Sequence, residues 1–80
     1  MNQYVLYHRH AAGDCAACFA AWNGFRSDLR RTTTSSTCAF GGHEIWWILT
    51  AQNDRAALAN LPGFVADRTI AVRIADVDIP

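Results

Sequence analysis

Gly41-Gly42 and the run behind it, His43-Glu44-Ile45-Trp46-Trp47-Ile48-Leu49-Thr50, constrain this chain more than any other stretch. Two glycines accept the positive φ angles of a two-residue hairpin loop, and the β-branched and aromatic residues after them suit a pleated surface. The stretch therefore reads as the second half of a β-hairpin and the centre of a sheet. A two-residue loop sets Phe40 opposite His43, Cys38 opposite Ile45 and Ser36 opposite Trp47 on one side. Ala39 then faces Glu44 and Thr37 faces Trp46 on the other, with Ile48 further along. The first set, joined by Leu49, is the more apolar and is expected to face the helices. Trp46 and Ile48 are left on the open face, which predicts a homodimer packed sheet to sheet.

The eighty residues suffice for one domain, residues 1–80, because compact domains mostly run to about 100–150 residues. Hydrophobic residues make up 51% of the chain, more apolar surface than so short a sequence hides alone, which again points to a partner. A net charge of zero gives no electrostatic footprint for nucleic acid or acidic lipid. No apolar run reaches the ~18–20 residues of a membrane span, and Met1-Asn2-Gln3-Tyr4 does not open a secretory signal. Three cysteines, an odd number without a dense framework, fit a reducing compartment, and the expected address is the cytoplasm.

Gln3 to His10 reads as the first strand, with Val5 and Tyr7 on one side and Tyr4, Leu6, His8 and His10 on the other. From Asp14 the period changes: Cys15, Cys18, Phe19 and Trp22 recur at the spacing of one helical face, Asp14 is the expected N-cap and Gly24 the stop. Thr32 to Thr37 suits a loop or an exposed edge strand. Asn53-Asp54 opens a second helix with Ala56, Ala57, Leu58 and Leu61, ended by Pro62-Gly63, and Phe64-Val65-Ala66 continues as a turn. Ile70, Val72 and Ile74 alternate as the last strand. Val77 and Ile79 fall in the opposite phase, which predicts a bulge near Ala75-Asp76 or a tail reaching a partner. The order is βαββαβ, a ferredoxin-like α+β arrangement of a four-stranded antiparallel sheet with two helices on one face.

In this order, Tyr4-Val5-Leu6-Tyr7-His8 and Leu58-Ala59-Asn60-Leu61-Pro62 followed by Ile70-Ala71-Val72 resemble the small dimeric α+β barrel proteins, including the muconolactone isomerase-like group. The resemblance implies two sheets packed face to face and a cavity between sheet and helices that holds a small organic ligand without a cofactor. His8 is the polar position it carries over. Trp22 and Trp47, which offer large stacking faces, and His43 join His8 as the expected lining of that cavity, so a small organic ligand, aromatic ones included, is one functional expectation.

The competing expectation rests on thiols. Cys15-Ala16-Ala17-Cys18 at a helix start after a strand is locally similar to glutaredoxin-like proteins, in which helix dipoles make the first thiol reactive. The similarity ends there, for those folds need a further helix and a cis-proline beside the motif. His8 and His10 point the same way on a strand, and with Cys15 and Cys18 they form a candidate zinc set. His43 beside Glu44 is a candidate general base, although strand neighbours point to opposite faces. His8, His43 and Cys15 are thus the candidate catalytic residues. Arg26, Arg30 and Arg31 form a basic cluster for which Asp76 and Asp78 are candidate counter-charges. An assembly module without chemistry is the third expectation.

Overall fold

The computed structural model describes residues 1–80 as an α+β fold: one open four-stranded antiparallel sheet with short helices packed on one side. Strand β1 spans Asn2–Arg9, β2 Ser35–Ser36, β3 Glu44–Ala51 and β4 Thr69–Ile74. Helix α1 covers Cys15–Ala20, α2 Asp54–Leu58 and α3 Gly63–Ala66. The sheet order is β2-β3-β1-β4, so β1 is an interior strand paired along most of its length on both edges.

The period-two reading of β1 holds. Tyr4, Leu6 and His8 are buried, and their cross-strand neighbours on that face are Leu49, Trp47 and Ile45 from β3 and Arg73, Ala71 and Thr69 from β4. Ala57 of α2, Val65 of α3 and Leu61 between them complete the apolar cluster over this face. The other face carries Val5 beside Ile48 and Val72, and Tyr7 beside Trp46 and Ile70. Ile48 is 64% exposed and Ile70 59%, so the expected open apolar face is present. Leu6 is fully enclosed, and truncating such a residue to alanine typically costs about 2–5 kcal/mol.

The hairpin differs from the expectation. Ser36 pairs with Ile45 and Ser35 with Trp46, two residues out of the register that a two-residue loop imposes. The connection instead runs from Thr37 to His43 through a 3-10 turn at Cys38–Phe40. Three features hold this wider loop. Gly41 takes a φ of 81°, the Thr37 hydroxyl accepts the Glu44 amide at 3.0 Å, and the Gly42 amide donates to the Thr37 carbonyl at 3.0 Å.

At the start of the second helix the expectation holds, since the Asn53 side chain caps α2 by accepting from the Ala56 amide at 2.8 Å. The helix ends at Leu58, however, so Leu61 is buried beyond it and Pro62-Gly63 opens the next helix instead of closing this one. The segment after Pro62, expected as a turn, is the short helix α3. Asp14 does not cap α1: its φ and ψ of −101° and 1° place it in a 3-10 turn, and its carboxylate lies 3.8 Å from Arg68 instead. Helix α1 is also shorter than the periodicity implies, and Phe19, expected on the buried face, is exposed. Beyond β4 the chain has no regular structure, and Val77 and Ile79 are exposed. No helix is long and apolar enough to cross a membrane.

Candidate functional site

At one end of β1, five nitrogen and sulfur side chains from three segments converge: the end of β1, helix α1 and the turn before β3. His8 comes from the buried face of β1, and His10 follows two residues later on the same side, just past the strand end. The His10 amide donates to the His43 carbonyl at 3.1 Å, tying the end of β1 to the mouth of β3. Cys15 and Cys18 stand three apart on α1, a spacing that shares one helical face. His43 reaches the cluster because its backbone adopts a left-handed φ of 55°, an arrangement that a non-glycine residue holds only at a cost.

The side chains form a connected chain. The Thr69 hydroxyl donates to the Val65 carbonyl at 2.7 Å, and its oxygen lies 3.0 Å from His8 Nδ1. The Thr69 hydrogen being committed, His8 Nδ1 is the donor in that contact, and the neutral ring presents the Nε2 lone pair to the cluster. That nitrogen lies 2.9 Å from His10 Nδ1 and 3.7 Å from Cys18 Sγ. His10 Nδ1–H then donates to His8, and His10 Nε2, 3.3 Å from Cys15 Sγ, accepts from the thiol. Cys15 Sγ is also 3.1 Å from His43 Nδ1.

Burial sets the protonation. It pushes His8 and His10 below the ordinary imidazole range, and the neighbouring His43 lowers His10 further. It also pushes the Cys18 thiol up. Both imidazoles are therefore neutral near pH 7, the form that ligates metal.

The residues expected to line an organic-ligand cavity divide between two places. Trp22 and Trp47 approach with ring centroids 6.0 Å apart and share a cavity of about 320 Å³ with Phe19, Leu29 and Ile45. His8 touches the edge of Trp47, with ring centroids 6.1 Å apart, but does not line that cavity, and His43 lies with Cys15 instead. Glu44 turns away from His43: it accepts from the Tyr7 hydroxyl at 2.5 Å, a bond that raises the phenol pKa. Arg26, Arg30 and Arg31 line a shallow surface groove, and neither Asp76 nor Asp78 pairs with them.

One member of the site, Thr69, escaped sequence reasoning, and another, His43, was expected at the organic-ligand cavity and beside Glu44 instead of beside the thiols. His43 was legible as a histidine at a hairpin mouth but not as a neighbour of Cys15, for only the wider turn brings them together. Thr69, the partner of His8, carries no local signal and follows only from the β1–β4 register. No protein family, curated protein or solved structure matches the chain.

Proposed function

We propose that this protein binds a thiophilic transition metal, zinc first among them, through His8, His10, Cys15, Cys18 and His43. The single observation that carries this reading is the convergence of three imidazoles and two thiols at one partly buried place. In each of two groups, His8 with His10 and Cys18, and His10 with Cys15 and His43, the donor atoms all lie within 4.8 Å of one another. Thiolate and imidazole are the ligands zinc favours. The hydroxyl of Thr69 behind His8 is the kind of outer partner that fixes a ligating histidine's tautomer. The free cysteines must stay reduced to ligate, which supports a reducing, cytoplasmic setting.

The deciding experiment is zinc retention by the reduced protein, read by elemental analysis and by cobalt substitution. Zinc bound at submicromolar Kd, with a sulfur-to-cobalt charge-transfer band weakened in Cys15→Ser and in Cys18→Ser and lost when both are replaced, is the expected result. The absence of both zinc retention and a thiolate band sinks the reading.

The Trp22–Trp47 cavity favours a second reading, a small organic ligand stacked on indole. Its test is a screen of aromatic ligands by tryptophan fluorescence, and a response unchanged in Trp22→Ala refutes it. Two further proposals concern architecture. The crossover from β1 to β2 passes over β3 and that from β3 to β4 passes over β1, which supports the ferredoxin-like assignment. The exposed row of Ile48, Val72 and Ile70 supports a sheet-to-sheet homodimer of the α+β barrel kind, to be checked by sedimentation of the protein against Ile70→Glu.

A further inference from the structure

Resting on the metal-binding reading, we infer that the cluster holds two metal ions rather than one, with the His10 ring as the bridge between them. The two ring nitrogens of His10 face different donors. Nδ1 lies 2.9 Å from His8 Nε2, which in turn is 3.7 Å from Cys18 Sγ. Nε2 lies 3.3 Å from Cys15 Sγ, which is 3.1 Å from His43 Nδ1. The five residues thus fall into two triads that share only His10, and within each triad the donor atoms lie within 4.8 Å of one another.

A single ion takes one nitrogen of an imidazole. An ion seated with His8, His10 and Cys18 leaves Cys15 and His43 unused, and the converse seat leaves His8 and Cys18 unused. Two ions satisfy every donor. The spacings already approach those needed: zinc bonds of ~2.0–2.1 Å to nitrogen and ~2.3 Å to sulfur place tetrahedral neighbours about 3.4 Å apart for two nitrogens and about 3.6 Å apart for nitrogen and sulfur. Loading both seats from the neutral state breaks the S–H bonds of Cys15 and Cys18 and the ring N–H of His10, releasing three protons to solvent. Two divalent ions against two thiolates and one imidazolate leave one positive charge, and the Asp14–Arg68 pair, with 3.8 Å between its charged groups, is near enough for both charges to act on His10 and Cys18.

The seats differ in access. The inner triad is sealed, with His8 0%, His10 5% and Cys18 2% exposed, whereas Cys15 and His43 are partly exposed. Each seat offers three protein ligands, and only the outer one has its fourth position within reach of water, the open position that a catalytic zinc keeps. The inner ion is the slowly exchanging one.

The test uses the full chain, stripped with chelator under reducing conditions. Native mass spectrometry after zinc loading and titration with cobalt alone give the stoichiometry. Two ions per chain are expected, with one lost in His43→Ala, the other lost in Cys18→Ser, and a chelator removing one ion at least tenfold faster than the other. The magnetic moment per cobalt in the two-cobalt form falls below that of the one-cobalt form if the ring bridges. One ion per chain in the parent overturns the two-ion inference and leaves the metal-binding reading standing, whereas none refutes that reading itself. Two ions without magnetic coupling overturn the bridge. His10→Ala is expected to weaken both seats at least tenfold. Because that change opens space beside the core, the His43 variant, altered in a surface turn, decides between one ion and two if His10→Ala does not fold.

Discussion

Thr69 on β4 stands directly across from His8 on β1, and its hydroxyl oxygen lies 3.0 Å from His8 Nδ1. This contact fixes which nitrogen His8 offers to its neighbours. Thr69→Val keeps the shape and removes the acceptor, so zinc affinity is expected to fall about 10-fold, at the lower end of the ~10–100-fold range for outer partners, because the Val65 carbonyl at 3.2 Å still accepts from the ring. Thr69→Ser is expected to restore it. Competition with a chromogenic zinc chelator measures both, and a valine variant with unchanged affinity refutes the role.

His43 offers the opposite combination of stability and binding. Its φ of 55° suits glycine, and relieving a left-handed non-glycine residue is offset in part by glycine's greater freedom in the unfolded chain. His43→Gly is expected to change the stability of the metal-free protein by no more than about 1 kcal/mol, in the stabilising direction, while removing the outer ligand. Urea denaturation beside zinc titration checks it, and a loss of more than ~2 kcal/mol contradicts it.

The metal-free protein is expected to lose stability on the acid side. His8 and His10 have folded pKa values below the ordinary 6.5, chiefly through burial. Above 6.5 both folded and unfolded chains carry neutral rings and the contribution is fully present. As the pH falls below 6.5, the unfolded chain takes up protons that the folded chain resists, and stability is lost progressively as pH drops through the lowered folded values. Urea midpoints of chelator-treated protein between pH 8 and 5 should fall accordingly, and a flat profile is inconsistent with buried neutral imidazoles.

Gly42 is held by space rather than by its backbone angles. A Cβ there would sit 2.2 Å from Thr37 Oγ1 and 2.6 Å from Thr37 Cβ. Gly42→Ala must therefore push aside the side chain that accepts the Glu44 amide at the start of β3. A loss of about 1–3 kcal/mol is expected, the range for forced overpacking, whereas a thermal midpoint within about 1 °C of the parent speaks against the contact.

Much of the sheet was legible because its alternation is local: Tyr4, Leu6 and His8 announce one face of β1, and Ile45 and Trp47 the matching face of β3. The cap at Asn53 was legible for the same reason. The hairpin was not. Gly41-Gly42 specifies a turn, but the loop width depends on Thr37, whose hydroxyl takes the Glu44 amide and shifts the pairing by two residues. The site was half visible: His8, His10, Cys15 and Cys18 lie within eleven residues, where strand and helix spacing predict neighbours. His43 and Thr69 enter through long-range register, which spacing along the chain does not encode.

The interior position of β1 has a kinetic meaning. Hydrogen-bonded on both edges, β1 frees its amides only when β3 or β4 detaches, an opening close to global unfolding, so these amides should be among the slowest to exchange. Cys15 and His43 sit outside the sheet, on a six-residue helix and in the turn before β3, where amides are expected to exchange faster. The cluster thus straddles two kinds of backbone, so an exchange experiment on the metal-free chain should show the His8 end opening last and the His43 end first.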